Sequence, residues 1–241
     1  MLRLLLVNGN MTQAVTDAVC AEARRVCGAA TVVEGATARF GAQIVTTHAG
    51  AVVAAHAVLD LLAERSGGYD AAILAISFDC GLAAARELFR TPVIGMTQAA
   101  MLAACDLAPT FRMIVFGATA LPLYEDLVRL YGMHDRVSRI HCIDVAPTAY
   151  LDGQGRDDAI LAELAGMPQA PGAPVVICGA ALAGTAARLQ PLTPLRLLDG
   201  IACGVASAER RAAEGSAPGE HAPIPVRGLS PALTAAFERR S

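Results

Sequence analysis

Four short stretches of this 241-residue chain set polar or glycine residues where an apolar run gives way to a helical pattern. "SFDCG" offers Ser77, Phe78, Asp79 and Cys80, and "ICGAALAG" offers Cys178, Gly179 and Ala180. "VNGNMT" brings Asn8, Asn10 and Thr12, and "FGATALP" brings Gly117, Ala118 and Thr119. The chemistry within reach of such groups is proton transfer and the binding of negative charge. A thiol just ahead of a helix, as at Cys80, is expected to have a lowered pKa. Asp79 is placed to cap the helix that follows it, and Thr12 to cap the helix after the first strand. The small-residue loop at 117–119 lets backbone N–H groups approach a carboxylate. Taken singly, each stretch reads equally well as a turn followed by a helix start.

Their meaning depends on the elements that carry them. Short apolar runs predict strands over 2–8, 30–34, 71–77, 92–96, 112–117, 138–144, 174–178 and 195–198. Helical periodicity predicts helices over 12–27, 50–65, 81–89, 98–107, 121–132, 156–165, 181–190 and 200–212. Runs such as "AAILAI" and "APVVI" do not alternate with polar residues, which suits parallel strands covered on both faces. Regular βα alternation then predicts an α/β fold with helices flanking a parallel sheet.

The chain also echoes itself. Laid on one register, "AAAR" at 83–86 meets "TAAR" at 185–188, and "TPV" at 91–93 meets "TPL" at 193–195. With a slightly different offset, "RLLLV" at 3–7 is similar to "RMIVF" at 112–116. Three ordered echoes predict two pseudo-symmetric lobes, each a parallel sheet flanked by helices. A single Ala-rich sheet with accidental echoes is the alternative. The expected lobes are residues 1–96 plus 199–211, and 97–198, with 212–241 as a C-terminal tail. In open parallel sheets ligands sit beyond the carboxyl ends of the strands, so the four corners converge on one expected site between the lobes. In the repeat register Ser77 faces Gly179, and Ile76 faces Cys178.

Composition narrows the function classes. Hydrophobic residues make up 54% and charged residues 17%, enough for a large core and against intrinsic disorder. A net charge of -3 provides no basic stripe for nucleic acid. No apolar run approaches the roughly 20 residues that cross a bilayer, and "MLRLLLVNGN" reads as a first strand rather than a secretion signal. Seven cysteines and five histidines form no metal-ligand spacing, and free thiols suit a reducing, cytoplasmic location. No G-x-G-x-x-G follows the first strand and no GxxxxGK[ST] occurs, so no nucleotide, metal or other cofactor is expected. The Pro/Gly/Ala-rich segment 212–226 is expected to be extended or mobile.

Ordered segments carry a family resemblance. "LLLVNGNMTQAVTDAV" resembles the opening of the aspartate/glutamate/hydantoin racemase superfamily. "ILAISFDCGLAAARELFRTPVIGMTQAA" and "IVFGATALPLYEDLVRLYG" are similar to segments of its hydantoin racemase branch. So are "VVICGAALAGTAARL", "LLDGIACGV" and "VRGLSPALTAAF". The resemblance implies two α/β lobes around a central site, a homo-oligomer, and a small-molecule substrate. It implies one cysteine on each lobe, one thiolate removing the α-proton while the opposite thiol returns one; a thiol pKa of about 8.5 suits that exchange.

This chain departs at both positions. Gly179 stands at the second thiol of the pattern. The internal repeat places Ser77 at the first, whereas the ungapped family match points to Ile76. The resemblance therefore implies a hydantoin-type five-membered imide, or a related carboxylate, with one-sided chemistry at a ring or α carbon. Hydrolytic desulfurisation of a thiohydantoin and decarboxylation are two such reactions. Ser77, Asp79, Cys80 and Cys178 are the catalytic candidates. Asn8, Asn10, Thr12, Ser77 and Thr119 are expected to hold polar groups of the ring. N–H groups around Phe78, Asp79, Gly117, Ala118, Gly179 and Ala180 are expected to stabilise negative charge. A racemase using Cys80 and Cys178, or a catalytically silent binding relative, remains open.

Overall fold

The computed structural model describes residues 1–144, 153–214 and 222–239. Its first sheet is built from β1 (Leu2–Asn8), β2 (Thr31–Thr37), β3 (Ala71–Leu74) and β4 (Val93–Gly95), in the order β2-β1-β3-β4. The second holds β5 (Phe111–Phe116), β6 (Val137–Ile143), β7 (Pro174–Ile177) and β8 (Arg196–Asp199), in the order β6-β5-β7-β8. The two orders are the same when each strand is matched to the one four places on, and every pairing is parallel. This is the predicted α/β class with two pseudo-symmetric halves.

Helices α1 (Gln13–Val26), α2 (His48–Glu64), α3 (Leu82–Leu88), α4 (Met96–Leu107), α5 (Leu121–Leu130), α6 (Gly153–Ala165), α7 (Thr185–Leu189) and α8 (Gly200–Glu214) cover the sheets. Both faces of each sheet are buried. Leu5, Val7 and Leu74 pack under α2, while Leu4, Leu6 and Ile73 pack under α1 and α8. Each such side chain removed from water contributes about 1.5–3 kcal/mol, which is why uninterrupted apolar runs hold here. α8 leaves the second sheet and places Ile201, Val205 and Ala208 in the core of the first, against α4, α1 and β3. The chain thus crosses between the sheets at α4 and again at α8.

Some boundaries move for local reasons. β3 ends at Leu74 rather than at 77 because its neighbour β4 stops at Gly95, where α4 begins; Ala75 N–H still reaches the Val7 carbonyl at 2.8 Å. The helix expected over 181–190 is broken, because Gly184 takes a φ of 80° and leaves only Thr185–Leu189 as regular helix. A further helix, α9 (Pro231–Glu238), was not expected. Ser230 caps it by accepting the Leu233 N–H, Pro231 opens it, and Leu233 and Ala236 bury against α2. In the segment expected to be extended, residues 212–214 continue α8, and 215–221 lie outside the described residues. No helix among the described residues is long and apolar enough to cross a membrane.

Candidate active site

A cavity of about 70 Å³ opens beyond the carboxyl ends of β1, β3, β5 and β7. Its walls come from both halves: Asn10, Thr12, Val15, Ile76, Ser77 and Phe78 on one side, Phe116, Ala120, Tyr124, Cys178, Gly179 and Ala180 on the other. Residues 44–46 close a third side. That segment is tied down by the Thr12 hydroxyl, which donates to the Gln43 carbonyl at 2.7 Å, and by Met11 N–H on the Ala42 carbonyl. At the start of α2, His48 reaches Asp126 of α5 at 2.7 Å across the cleft. Thr12 therefore occupies the N-cap position of α1, but its side chain makes no capping bond.

The first corner is held by two hydrogen-bonded side-chain amides. Asn8 is fully buried; its Oδ1 accepts Asn10 N–H, and its Nδ2 donates to Asn10 Oδ1, the Thr12 carbonyl and Thr16 Oγ1. Asn10 Oδ1 also accepts Thr12 N–H at 2.9 Å. Those backbone donors fix which end of each amide is oxygen. The Asn10 Nδ2 finds no acceptor among the described residues and is left for the cavity it lines. Asn8 supports this arrangement from behind and does not line the cavity.

Ser77 sits where the two halves meet. Its Oγ accepts Ala180 N–H at 3.0 Å, and its carbonyl accepts the Thr97 hydroxyl at 2.6 Å. The hydroxyl proton of Ser77 finds no acceptor among the described residues. The N–H groups of Phe78 and Gly179 find no acceptor among the described residues. The Phe78 ring lies 4.8 Å from that of Tyr124, closing the apolar wall.

Asp79 and Cys80 are placed otherwise than the sequence suggests. The Asp79 carboxylate does not cap α3, whose N-cap Gly81 makes no side-chain bond; it caps α4 instead, accepting Thr97 N–H at 3.1 Å and Gln98 N–H at 2.8 Å. It also accepts the Tyr131 hydroxyl at 2.7 Å. Burial pushes its pKa up to about 6 against those donors. Cys80 is buried in the core of the first half, and burial with the adjacent Asp79 raises its pKa to about 12, the reverse of the lowering expected beside a helix N-terminus. Desolvation outweighs the dipole of a helix only seven residues long.

Cys178 lines the cavity but packs among Val115, Val176 and Ala100, and burial raises its pKa. Gly179 takes a φ of 141°, and a Cβ there would lie 2.9 Å from the Leu182 side chain. At the third corner, Gly117 N–H bonds the Ile143 carbonyl and turns the loop toward β6. Ala118 N–H then donates to Asp144 at 3.0 Å, and Ala118 and Thr119 are exposed and off the cavity, with Phe116 and Ala120 in their stead. Tyr124, Tyr131 and residues 44–46 escaped sequence reading because each lies in or at the end of a helix or in an irregular stretch with no strand-end signal, and Thr97, just past β4, because its partners Asp79 and Ser77 lie 18 and 20 positions away. Among the described residues no group of three or more His, Cys, Asp or Glu could hold a metal.

Comparison with known proteins identifies the family and the fold. The family model described as Asp/Glu/Hydantoin racemase matches residues 4–208. A hydantoin racemase of Rhizobium meliloti is 34% identical over 161 residues, which cover 64% of this chain and 67% of that protein. The structure of allantoin racemase from Klebsiella pneumoniae is similar with a TM-score of 0.90 at 27% identity, over 97% of this chain and 99% of that one. A variant of arylmalonate decarboxylase shares the fold, with a TM-score of 0.57 at 14% identity over 89% of this chain and 94% of that one. The chain thus belongs to the Asp/Glu/hydantoin racemase family, in its hydantoin branch.

Proposed function

We propose that the protein is a cofactor-independent enzyme that binds a five-membered imide ring of hydantoin type and acts on it from one face. The observation that carries this reading is the lining of the cavity. Asn10, Ser77 and the free N–H groups of Phe78 and Gly179 supply donors, the remainder is largely apolar, and no Asp, Glu, His, Lys or Arg is among the lining residues. Neutral donors in an apolar wall suit a ring carbonyl and the enolate charge that develops on its oxygen. An amino dicarboxylate would enter with several charges and no counter-charge. The names of the similar hydantoin and allantoin racemases point to the same ring class.

The lining also selects among reactions. Two-thiol racemisation needs a sulfur on each face, and the reading that sets Ser77 opposite Gly179 leaves both positions without one. Water attack on a ring carbon needs a base, and Asp79 is engaged by three donors while Cys80 is buried. Decarboxylation needs none. The bond to an α-carboxylate breaks, its electron pair passes into the enolate held by the donors, and CO₂ leaves. The Ser77 hydroxyl then returns a proton to the α carbon and is reprotonated from water. A carboxylate set against the apolar wall loses hydration, which favours its departure. The same lack of a base favours a second reading, a catalytically silent binding relative.

The test incubates the protein in D₂O with 5-methylhydantoin-5-carboxylate and with one enantiomer of 5-isopropylhydantoin, followed by NMR and chiral chromatography. Loss of CO₂ with deuterium entering one face is the expected outcome. Exchange with inversion of 5-isopropylhydantoin would mark a racemase, and binding without either reaction a silent relative.

A further inference from the structure

The cavity lining leaves one buried carboxylate unused, and it touches the corner that matters most. Asp79 is 4% exposed and holds a φ of 45°, a left-handed conformation that a non-glycine residue keeps only when its surroundings compel it. Three donors compel it here: the Thr97 and Gln98 N–H groups at the start of α4, and the Tyr131 hydroxyl at the end of α5. Room for the carboxylate comes from Gly95, where a Cβ would lie 2.5 Å from it. The same first turn of α4 sends the Thr97 hydroxyl back to the Ser77 carbonyl.

The geometry points to Asp79 as a positioning residue: by tying the Ser77–Phe78 corner to α4 and Tyr131, it sets where the Ser77 hydroxyl and Phe78 N–H stand against the Ala180 and Gly179 side of the cavity. This deepens the reading of the corner as the ligand site and rests on it. The carboxylate acts through the corner and never meets the ligand. Ionised, it accepts all three donors; protonated, one oxygen becomes a donor itself and one of the three bonds is lost. The groups facing it are the Tyr131 hydroxyl, the Arg86 guanidinium of α3, and the Cys80 and Cys178 thiols. With burial working against these donors, the change of state falls near pH 6.

The experiment records amide NMR spectra of the full-length wild type, Asp79→Asn and Tyr131→Phe from pH 5 to pH 8, and titrates each with 5-isopropylhydantoin at pH 8. In the wild type the Phe78 and Ala180 amides shift together with a midpoint near pH 6. Asp79→Asn removes that step, and Tyr131→Phe, which lacks one donor to the anion, moves it upward. Hydantoin affinity at pH 8 falls about tenfold in Asp79→Asn, the scale of one bond to a charged group. A role in stability alone leaves the Ala180 amide, on the far side of the cavity, without a pH step. Absence of that step in the wild type, or its persistence in Asp79→Asn, overturns the assignment. If Asp79→Asn does not fold, Tyr131→Phe gives the same reading. A wild type that binds no hydantoin counts against the proposed ring class only, because the amide measurement needs no ligand.

Discussion

The Ser77 hydroxyl accepts the Ala180 N–H at 3.0 Å, joining the end of β3 to the end of β7 across 103 positions of chain. The bond ties one half of the molecule to the other at the wall of the cavity. Replacing Ser77 by Ala leaves the buried Ala180 N–H without its partner. The expected cost is about 1–2 kcal/mol in urea unfolding, with weaker binding of any hydantoin. An unchanged unfolding midpoint would show that water takes over the bond.

Placing a sulfur at position 179 should fail. A side chain there must adopt a φ of 141° and displace Leu182, which is fully buried. Gly179→Cys is expected to lower stability by about 1–3 kcal/mol. The double variant Ser77→Cys with Gly179→Cys should not racemise hydantoins above the buffer rate, as followed by polarimetry.

Thiol reactivity offers an independent check on burial. Cys80, with its pKa raised to about 12, and Cys178, raised by complete burial, should both resist iodoacetamide in the native protein at pH 8. The half-buried Cys27 and Cys105 should be labelled first. Mass spectrometry of the tryptic peptides distinguishes the two groups, and early labelling of Cys80 would revive it as a reactive thiol.

The pH dependence of stability carries a sign that differs from that of a paired carboxylate. The Asp79 pKa lies above its unfolded value, 3.8 rising to about 6, so the folded state holds the proton more tightly. Its contribution is fully present below about pH 3.8 and is lost as pH rises through about 6. Between those values the wild type should lose more stability than Asp79→Asn, measured as the difference in urea midpoints. Equal pH slopes for the two proteins would mean that the carboxylate titrates as it does in the unfolded chain.

Much of this molecule was legible before any coordinates. Unbroken apolar runs marked the buried parallel strands, glycines marked the corners, and the echo of "AAAR" in "TAAR" foretold two similar halves; their matching strand orders came from the structure. The family segments pointed to the strand-end corners at 76–77 and 178–179, and the internal repeat set Ser77 opposite Gly179. These features depend on neighbours a few residues apart, which is where burial patterns and turn preferences act. The direction of each polar side chain did not follow from them. Asp79 caps α4 rather than α3, Thr12 secures Gln43 rather than α1, and Ala118 donates outward to Asp144. Tyr131 joins the site from 52 positions away. A buried donor or acceptor takes whichever partner packing brings within about 3 Å, and that partner is supplied by the folding of distant elements onto one another.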